Sequence, residues 1–136
     1  MPFKINIADK DKTWKVESAS EALIGKKIGE HVPGNEVADN LEGYEFTIAG
    51  ASDISGLPHK KDVEGPTLRR VLLTKGWGMH DTHEGIRRRK TVRGRQLSDK
   101  TSQINLIVTK HGSAKLHDLF PDQNKPKEKA AEAAAA

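Results

Sequence analysis

Apolar and polar residues alternate over short runs in the first half of the chain, a pattern typical of half-buried strands. Residues 3–7 place three apolar side chains on one face, and residues 13–17 do the same with Trp14 and Val16. A polar cluster at residues 9–12 separates the two runs. We therefore predict that they pair as a hairpin.

The same alternation predicts three further strands, at residues 44–49, 68–74 and 104–110. Serines followed by an acidic residue at 18–21 resemble a helix N-cap, which predicts one short helix that ends before Gly25. Twelve glycines and six prolines interrupt the remaining chain, as in tightly turned strands. The predicted fold class is mostly β: a small antiparallel β-barrel with one short helix, in which most but not all strand pairs are antiparallel, or else a rolled sheet.

Two segments differ from this pattern. Residues 50–65 are polar and predict a long loop, and long loops in compact domains are often functional. From Asp122 onward the chain has helix-forming residues without an apolar stripe, too few for a stable isolated helix. We predict one domain over residues 1–121 and a flexible C-terminal tail over residues 122–136.

Composition excludes several classes of protein. The 136 residues contain no cysteine, which rules out disulfides, thiolate zinc ligands and a thiol nucleophile. No apolar run approaches the roughly 18 to 20 residues of a spanning helix, and the first residues lack the apolar segment of a secretory signal. We expect a cytoplasmic protein without a membrane partner.

The positive charge is concentrated in about a quarter of the chain. The whole sequence has 23 Lys plus Arg and 19 Asp plus Glu, a net charge of +4. Residues 60–95 alone carry 11 basic and 4 acidic groups, net +7, whereas residues 1–59 carry net −4 and residues 96–136 net +1. Six of the nine residues at 87–95 are basic and none is acidic. Such a run repels itself and favours a polyphosphate partner, which the planar arginine fork binds in a bidentate manner.

Nucleic acid is the predicted partner of this segment, and alternatives are weaker. A solvated surface usually mixes both signs of charge, which this run does not. A localisation signal or an acidic-lipid site fits poorly because the run lies inside the domain. Trp77, between two glycines, either stacks on a base or ribose or folds onto the edge of the barrel. The candidate RNA-binding residues are Lys60, Lys61, Arg69, Arg70, Lys75, Trp77, Arg87, Arg88, Arg89, Lys90, Arg93 and Arg95.

Enzymatic chemistry finds little support in the sequence. The segment HDTHE at 80–84 spaces its histidines three apart between glycines, whereas a helical zinc motif spaces them four apart. Phosphate-binding glycine loops with a following Lys-Ser or Lys-Thr pair are missing, as is a serine nucleophile motif. We predict no catalytic residue, no metal, no cofactor and no small-molecule substrate.

Several strings of the sequence resemble one known family. These are ALIGKKIG at 22–29, RRRKTVRG at 87–94, the loop that begins at Gly50, and residues 63–66. They are similar to the small-subunit ribosomal protein six of archaea and eukaryotes, which is unrelated to the bacterial protein of the same number. The resemblance extends over roughly residues 2–112, and its two longest strings are specific.

The resemblance implies a structural constituent of the small ribosomal subunit, built on a small β-barrel, that binds ribosomal RNA beside neighbouring ribosomal proteins. It implies no catalysis, and the chain's size fits an archaeal member. The family's basic motif carries over onto Arg87, Arg88, Arg89, Lys90 and Arg93, and less closely onto Lys60, Lys61, Arg69 and Arg70. His80 and His83 depart from the residues expected at their positions, so neither receives a family role.

Two other functions stay open at the level of sequence. One is a free-standing RNA-binding factor of translation or RNA processing that has the same barrel. The other is a metal-dependent RNA hydrolase that would use His80, Asp81 and His83.

Overall fold

The computed structural model describes residues 2–124, and its strands form two separate sheets. The seven strands are β1 (Phe3–Asp9), β2 (Lys12–Ser18), β3 (His31–Pro33), β4 (Glu45–Asp53), β5 (Leu68–Thr74), β6 (Arg87–Arg93) and β7 (Thr101–Lys110). The helical segments are two four-residue α-helices, α1 (Gly34–Val37) and α2 (Leu116–Leu119), and two 3-10 turns, Glu21–Leu23 and Asp39–Leu41. The mostly β prediction is therefore confirmed.

The larger sheet has five strands in the order β2-β1-β7-β4-β3, and β5 pairs with β6 in a second sheet of two strands. The predicted first hairpin is confirmed, with Ile7 opposite Trp14. β1 also pairs with β7 in parallel, Ile5 opposite Ile104, so the large sheet contains one parallel pair beside its antiparallel ones. Every other pairing of strands in the described residues is antiparallel.

The predicted closed barrel is not confirmed, because both sheets are open. Where closure would require continuous ladders, the described residues form isolated bridges: Lys27 with Gln96, Ser52 with Pro58, and His59 with Arg93. A single bridge supplies only one or two hydrogen bonds, whereas two paired strands form a ladder of hydrogen bonds along their whole length. The β5–β6 pair, which we call the basic ribbon, therefore remains a separate hairpin held at its base.

The prediction of a single short helix is wrong in number, because residues 2–124 also contain α1, α2 and a second 3-10 turn. At the predicted position the helix is only a 3-10 turn. Ser20 caps the 3-10 turn Glu21–Leu23 by accepting a hydrogen bond from the Ala22 amide at 3.3 Å. Leu23 is buried, and the chain turns at Gly25, whose φ of +90° suits glycine.

Two apolar clusters stabilise the fold. The larger lies on one side of the five-stranded sheet and contains the inward-facing residues that the alternation predicted, such as Ile5, Phe46, Ile48 and Leu106. The smaller lies under the basic ribbon and contains Val63, Leu73, Met79 and Val92. The smaller cluster thus supports the basic ribbon, although the ribbon does not join the five-stranded sheet.

The division into a domain over residues 1–121 and a tail over 122–136 stays a prediction, since residues 125–136 lie outside the described part of the chain. Just before them, Gln123 contacts the edge of the large sheet. Its amide oxygen accepts from the Lys15 amide at 2.6 Å, and its Nε2 donates to the Lys15 carbonyl at 2.7 Å. Gln123 therefore covers part of the β2 edge.

Candidate nucleic-acid interface

The basic ribbon places consecutive basic residues of β6 on opposite faces. Residues directly opposite each other in an antiparallel pair point to the same face, and successive residues of a strand alternate between faces. The register pairs Leu72 with Arg89 and Thr74 with Arg87, whereas Leu73 pairs with Arg88 and Val71 with Lys90. The run of four basic residues that looks continuous in sequence is thus divided between two surfaces.

One surface of the basic ribbon, which we call the open face, is exposed to solvent. Its leucines are unusually accessible, Leu68 at 47% and Leu72 at 58%. Its three arginines are also exposed, and none of them forms an ion pair with another residue of the described range 2–124. The register also places Arg93 on this side, opposite Leu68, but Arg93 is buried. The residues of the open face that solvent reaches are Leu68, Arg70, Leu72, Thr74, Arg87, Arg89 and Thr91.

The other surface, which we call the covered face, packs on the smaller core and on the loop at residues 75–86. Its members are Arg69, Val71, Leu73, Arg88, Lys90 and Val92. Lys90 Nζ donates to the Gly78 carbonyl at 3.4 Å, and Arg88 forms an ion pair with Asp81 at 3.3 Å. Two of the three basic side chains on this face are therefore engaged by the loop.

Arg93 departs from the predicted interface because it is buried. Its Nε and one terminal nitrogen each lie 3.1 Å from Asp53 Oδ2, and its other terminal nitrogen donates to the Pro66 carbonyl at 2.8 Å. Only 9% of the Arg93 side chain and 1% of the Asp53 side chain are exposed. The sequence predicted that this guanidinium binds RNA, but it is buried and bonded to Asp53 and Pro66. We therefore leave Arg93 out of the proposed contact surface.

Asp53 organises the loop that follows β4. Its Oδ1 accepts hydrogen bonds from the amides of Ser55 at 2.8 Å and Leu57 at 2.9 Å. Burial alone would raise the pKa of Asp53, but the hydrogen bonds from Leu57, Arg93 and Ser55, with the charge of Arg93, hold that pKa below its usual value. The carboxylate is thus stable as an anion although it is buried.

His59 lies in the same buried network and was missed by the sequence analysis. Its Nδ1 lies 2.7 Å from the Gly94 carbonyl, and its Nε2 lies 3.2 Å from Thr101 Oγ1. Burial lowers the pKa of His59, and the nearby Arg93 charge lowers it further against the opposing effects of Gly94 and Asp53. No sequence signal identifies His59, because a histidine beside two lysines in a polar segment resembles an exposed loop residue.

The remaining predicted residues surround the base and the loops of the basic ribbon. Lys60 lies over the Trp77 ring at 4.8 Å and pairs with Asp62 at 3.2 Å. Trp77 is 49% exposed, and its ring contacts Lys60. Arg95 pairs with Glu64 at 3.1 Å. Lys75 is exposed at the end of β5.

Lys61 is separated from these groups, because its side chain lies against Gly29 beside the large sheet. The structure therefore brings together on the basic ribbon Arg69, Arg70, Arg87, Arg88, Arg89 and Lys90.

The part of the chain that the structure describes contains no set of residues arranged as metal ligands. No group of three or more His, Asp or Glu residues within it could hold a metal ion. His80 and His83 are exposed, and Asp81 is paired with Arg88. The hydrolase alternative thus has no metal site among residues 2–124. In the same range, no helix is long and apolar enough to cross a membrane.

Comparisons with known proteins agree on one family. The family described as Ribosomal protein S6e matches residues 3–121. A protein of Methanoculleus marisnigri named small ribosomal subunit protein eS6 is 38% identical over 123 residues, which cover 87% of this chain and 92% of the relative.

Two further relatives of the same name extend the agreement. The protein of Methanosphaera stadtmanae is 37% identical and covers 94% of this chain and 99% of its own length. The protein of Methanococcus maripaludis strain C7 is 42% identical and covers 85% of this chain and 94% of its own length. The chain, with its seven-stranded fold and its basic ribbon, belongs to the S6e family of ribosomal proteins, a structural and non-enzymatic family.

Proposed function

We propose that this protein is a constituent of the small ribosomal subunit that binds and stabilises folded ribosomal RNA through its basic ribbon. Its partners are the small-subunit RNA and neighbouring small-subunit proteins, and its location is the cytoplasmic ribosome. One observation carries the proposal: the basic ribbon exposes arginines that have no acidic partner among the described residues.

The chemistry of these arginines supports RNA as the partner. Like charges on adjacent strands repel each other in the free protein, so a bound polyanion lowers their electrostatic energy. Arginine binds phosphate oxygens through two parallel hydrogen bonds and remains charged at every physiological pH. Phosphate contacts fix the position of a protein on RNA without reading sequence, as expected of a structural constituent.

Sedimentation tests membership of the small subunit. Small subunits washed in high salt are separated on a sucrose gradient, and the protein is detected across the fractions with an antibody or a tag. We expect it to sediment with the washed small subunit. A free-standing factor would remain at the top of the gradient, and that result would favour the alternative of a translation or processing factor.

A salt titration tests whether the basic ribbon contacts phosphates. Each neutralised phosphate contributes roughly 0.7 to 0.9 to the slope of log affinity against log salt concentration, by analogy with other nucleic acids. Replacing Arg87, Arg88, Arg89 and Lys90 with glutamine should therefore reduce the slope for an rRNA fragment by about 3 if each of them contacts a phosphate, and by about 1.5 if only Arg87 and Arg89 do.

A matched control removes four positive charges elsewhere. Lys4, Lys10, Lys12 and Lys15 are exposed on the β1–β2 hairpin, away from the basic ribbon. Their replacement with glutamine should change the slope by less than about 1. Equal slopes for the two variants would mean that net charge, and not the basic ribbon, determines binding.

A further inference from the structure

We infer that the open face of the basic ribbon lies against double-stranded RNA, with Arg70, Arg87 and Arg89 on phosphates and Leu68 and Leu72 on ribose. This inference rests on the proposed function and makes its contact more specific. It assigns the RNA to one of the two faces and names the kind of RNA that fits that face.

The open face combines exposed apolar side chains with unpaired charges. Leu68 and Leu72 stand on either side of Arg70 along β5, and Arg89 lies directly opposite Leu72. At 47% and 58% exposure the two leucines leave apolar surface in water, and neither packs in the smaller core. Both leucines thus leave apolar surface on the same face as the unpaired arginines, where a partner can cover it.

The charge of the open face selects the class of partner. It carries three arginines and no acidic residue, so a partner must supply several negative charges at close spacing. Residues 87 and 91 lie about 13 Å apart along β6 at the usual rise per residue, so all three charges fall within that length. A nucleic-acid backbone provides this density of negative charge with apolar sugar surface between its phosphates.

The absence of aromatic residues from the open face favours a duplex over a single strand. Proteins that bind single strands use aromatic side chains on which unpaired bases stack. None of the seven residues of the open face is aromatic, and Trp77 belongs to the loop on the covered face. Duplex RNA is instead recognised by its shape, its phosphates and the hydroxyls of its wide, shallow minor groove.

The covered face is less suited to the same contact. The loop at residues 75–86 lies over part of it, Lys90 donates to the carbonyl of Gly78, and Arg88 is paired with Asp81, although Arg69 and Arg88 remain exposed. RNA that bound this face would have to displace those internal contacts. The sequence offers a control of equal charge, because each face carries three basic residues on the same two strands when the buried Arg93 is left out.

The experiment compares three variants of the full chain. R70Q/R87Q/R89Q removes the charges of the open face, R69Q/R88Q/K90Q removes those of the covered face, and L68S/L72S removes the apolar surface alone. The probes are an RNA duplex of about 20 base pairs, long enough for a small domain, and a uridine single strand of equal length. Affinity is measured as a function of salt concentration, and thermal melting checks that each variant is folded.

We expect three results. The open-face variant loses at least about tenfold in duplex affinity, with the salt slope reduced by about 2, whereas the covered-face variant reduces the slope by less than about 1. L68S/L72S weakens duplex binding about fivefold at every salt concentration with an unchanged slope, because apolar burial is not screened by salt. The unmodified protein prefers the duplex to the single strand.

Each opposite result overturns the inference. Equal slopes for the two charge variants, or tighter binding to the single strand, would exclude a duplex on the open face. If L68S/L72S bound RNA normally but no longer sedimented with small subunits, the open face would instead contact a neighbouring protein. The proposed function fails in a different way, namely if the unmodified protein binds neither RNA nor the small subunit.

Discussion

Arg93 and Asp53 join three parts of the chain at the base of the basic ribbon: β6, the end of β4 and the segment before β5. Both side chains are almost completely buried, so removing one partner leaves the other charge without compensation. Breaking a buried pair in this way costs about 3 to 5 kcal/mol. The role of Arg93 is therefore structural, whereas Arg89, four residues earlier on the same face, is exposed.

We predict that Arg93→Gln lowers the free energy of unfolding by about 3 to 5 kcal/mol, as measured by urea denaturation. Arg89→Gln is the matched control and should change it by no more than about 0.5 kcal/mol, because an exposed arginine without an ion pair contributes little. Asp53→Asn should be as damaging as Arg93→Gln. If Arg93→Gln unfolded no more easily than Arg89→Gln, Arg93 would return to the set of RNA contacts.

The buried His59 and Asp53 side chains should make the protein less stable in acid. The pKa of His59 lies below its ordinary value of 6.5 in the folded protein, so the unfolded chain takes up the proton first as the pH falls. The contribution of His59 to the free energy of unfolding is therefore fully present at pH values above its ordinary pKa and is lost as the pH falls below that value. The pKa of Asp53, also lowered, produces a further loss below its ordinary value of 3.8.

His59→Gln should flatten the decline in the free energy of unfolding between about pH 7 and pH 5, measured by urea denaturation. His83→Gln is the control, because His83 is exposed in a loop. The decline below about pH 4, which includes the contribution of Asp53, should persist in both variants. An unchanged pH profile for His59→Gln would show that other histidines determine the loss.

The hairpin and strand predictions are most accurate where one face of a strand is buried. Phe3, Ile5 and Ile7 alternate with polar residues, and β1 and β2 form where that pattern predicts them. β6 has the sequence RRRKTVR, which places charge on both faces and hides the alternation. Its division into an open and a covered face follows from its register with β5, which no local pattern shows.

Gly94 determines how closely the end of β6 approaches the loop before β5. A Cβ at Gly94 would lie 1.8 Å from the Gly65 carbonyl oxygen, which is backbone and cannot move cheaply. We predict that Gly94→Ala costs about 2 kcal/mol or more in unfolding free energy, measured by urea denaturation. Gly50→Ala is the control, since nothing lies within 4 Å of its added Cβ, and it should be neutral or slightly stabilising.

For the whole molecule, the sequence indicated a single β-rich fold and its family but not its topology. The parallel pair of β1 with β7 joins Ile5 to Ile104, a contact between distant parts of the chain that carries no local signal. The expected barrel failed for a related reason, because closure depends on how many hydrogen bonds join the sheets and not on the alternation within each strand. The family resemblance was recognisable because specific strings such as RRRKTVRG survive without any knowledge of topology.

Two C-terminal deletions distinguish the contribution of residues 125–136 from that of Gln123 and Asn124. Lys125 to Ala136 contain no apolar stripe, and their three lysines and two glutamates nearly balance, so from sequence we expect their removal to leave the melting temperature and RNA affinity nearly unchanged. Removal from Gln123 onward should behave differently. It deletes the two hydrogen bonds with Lys15 and the one that Asn124 donates to the Thr13 carbonyl at 2.8 Å, and so exposes the β2 edge.

We expect the longer deletion to cost about 1 kcal/mol, a fall in melting temperature of about 3 to 6 °C, measured by circular dichroism. The double variant Gln123→Ala and Asn124→Ala in the full chain is the control, because it removes the same side-chain hydrogen bonds at full length and should match the longer deletion. If the shorter deletion lowered the melting temperature as much as the longer one, the residues after Asn124 would contribute to folding, and the predicted tail would be wrong.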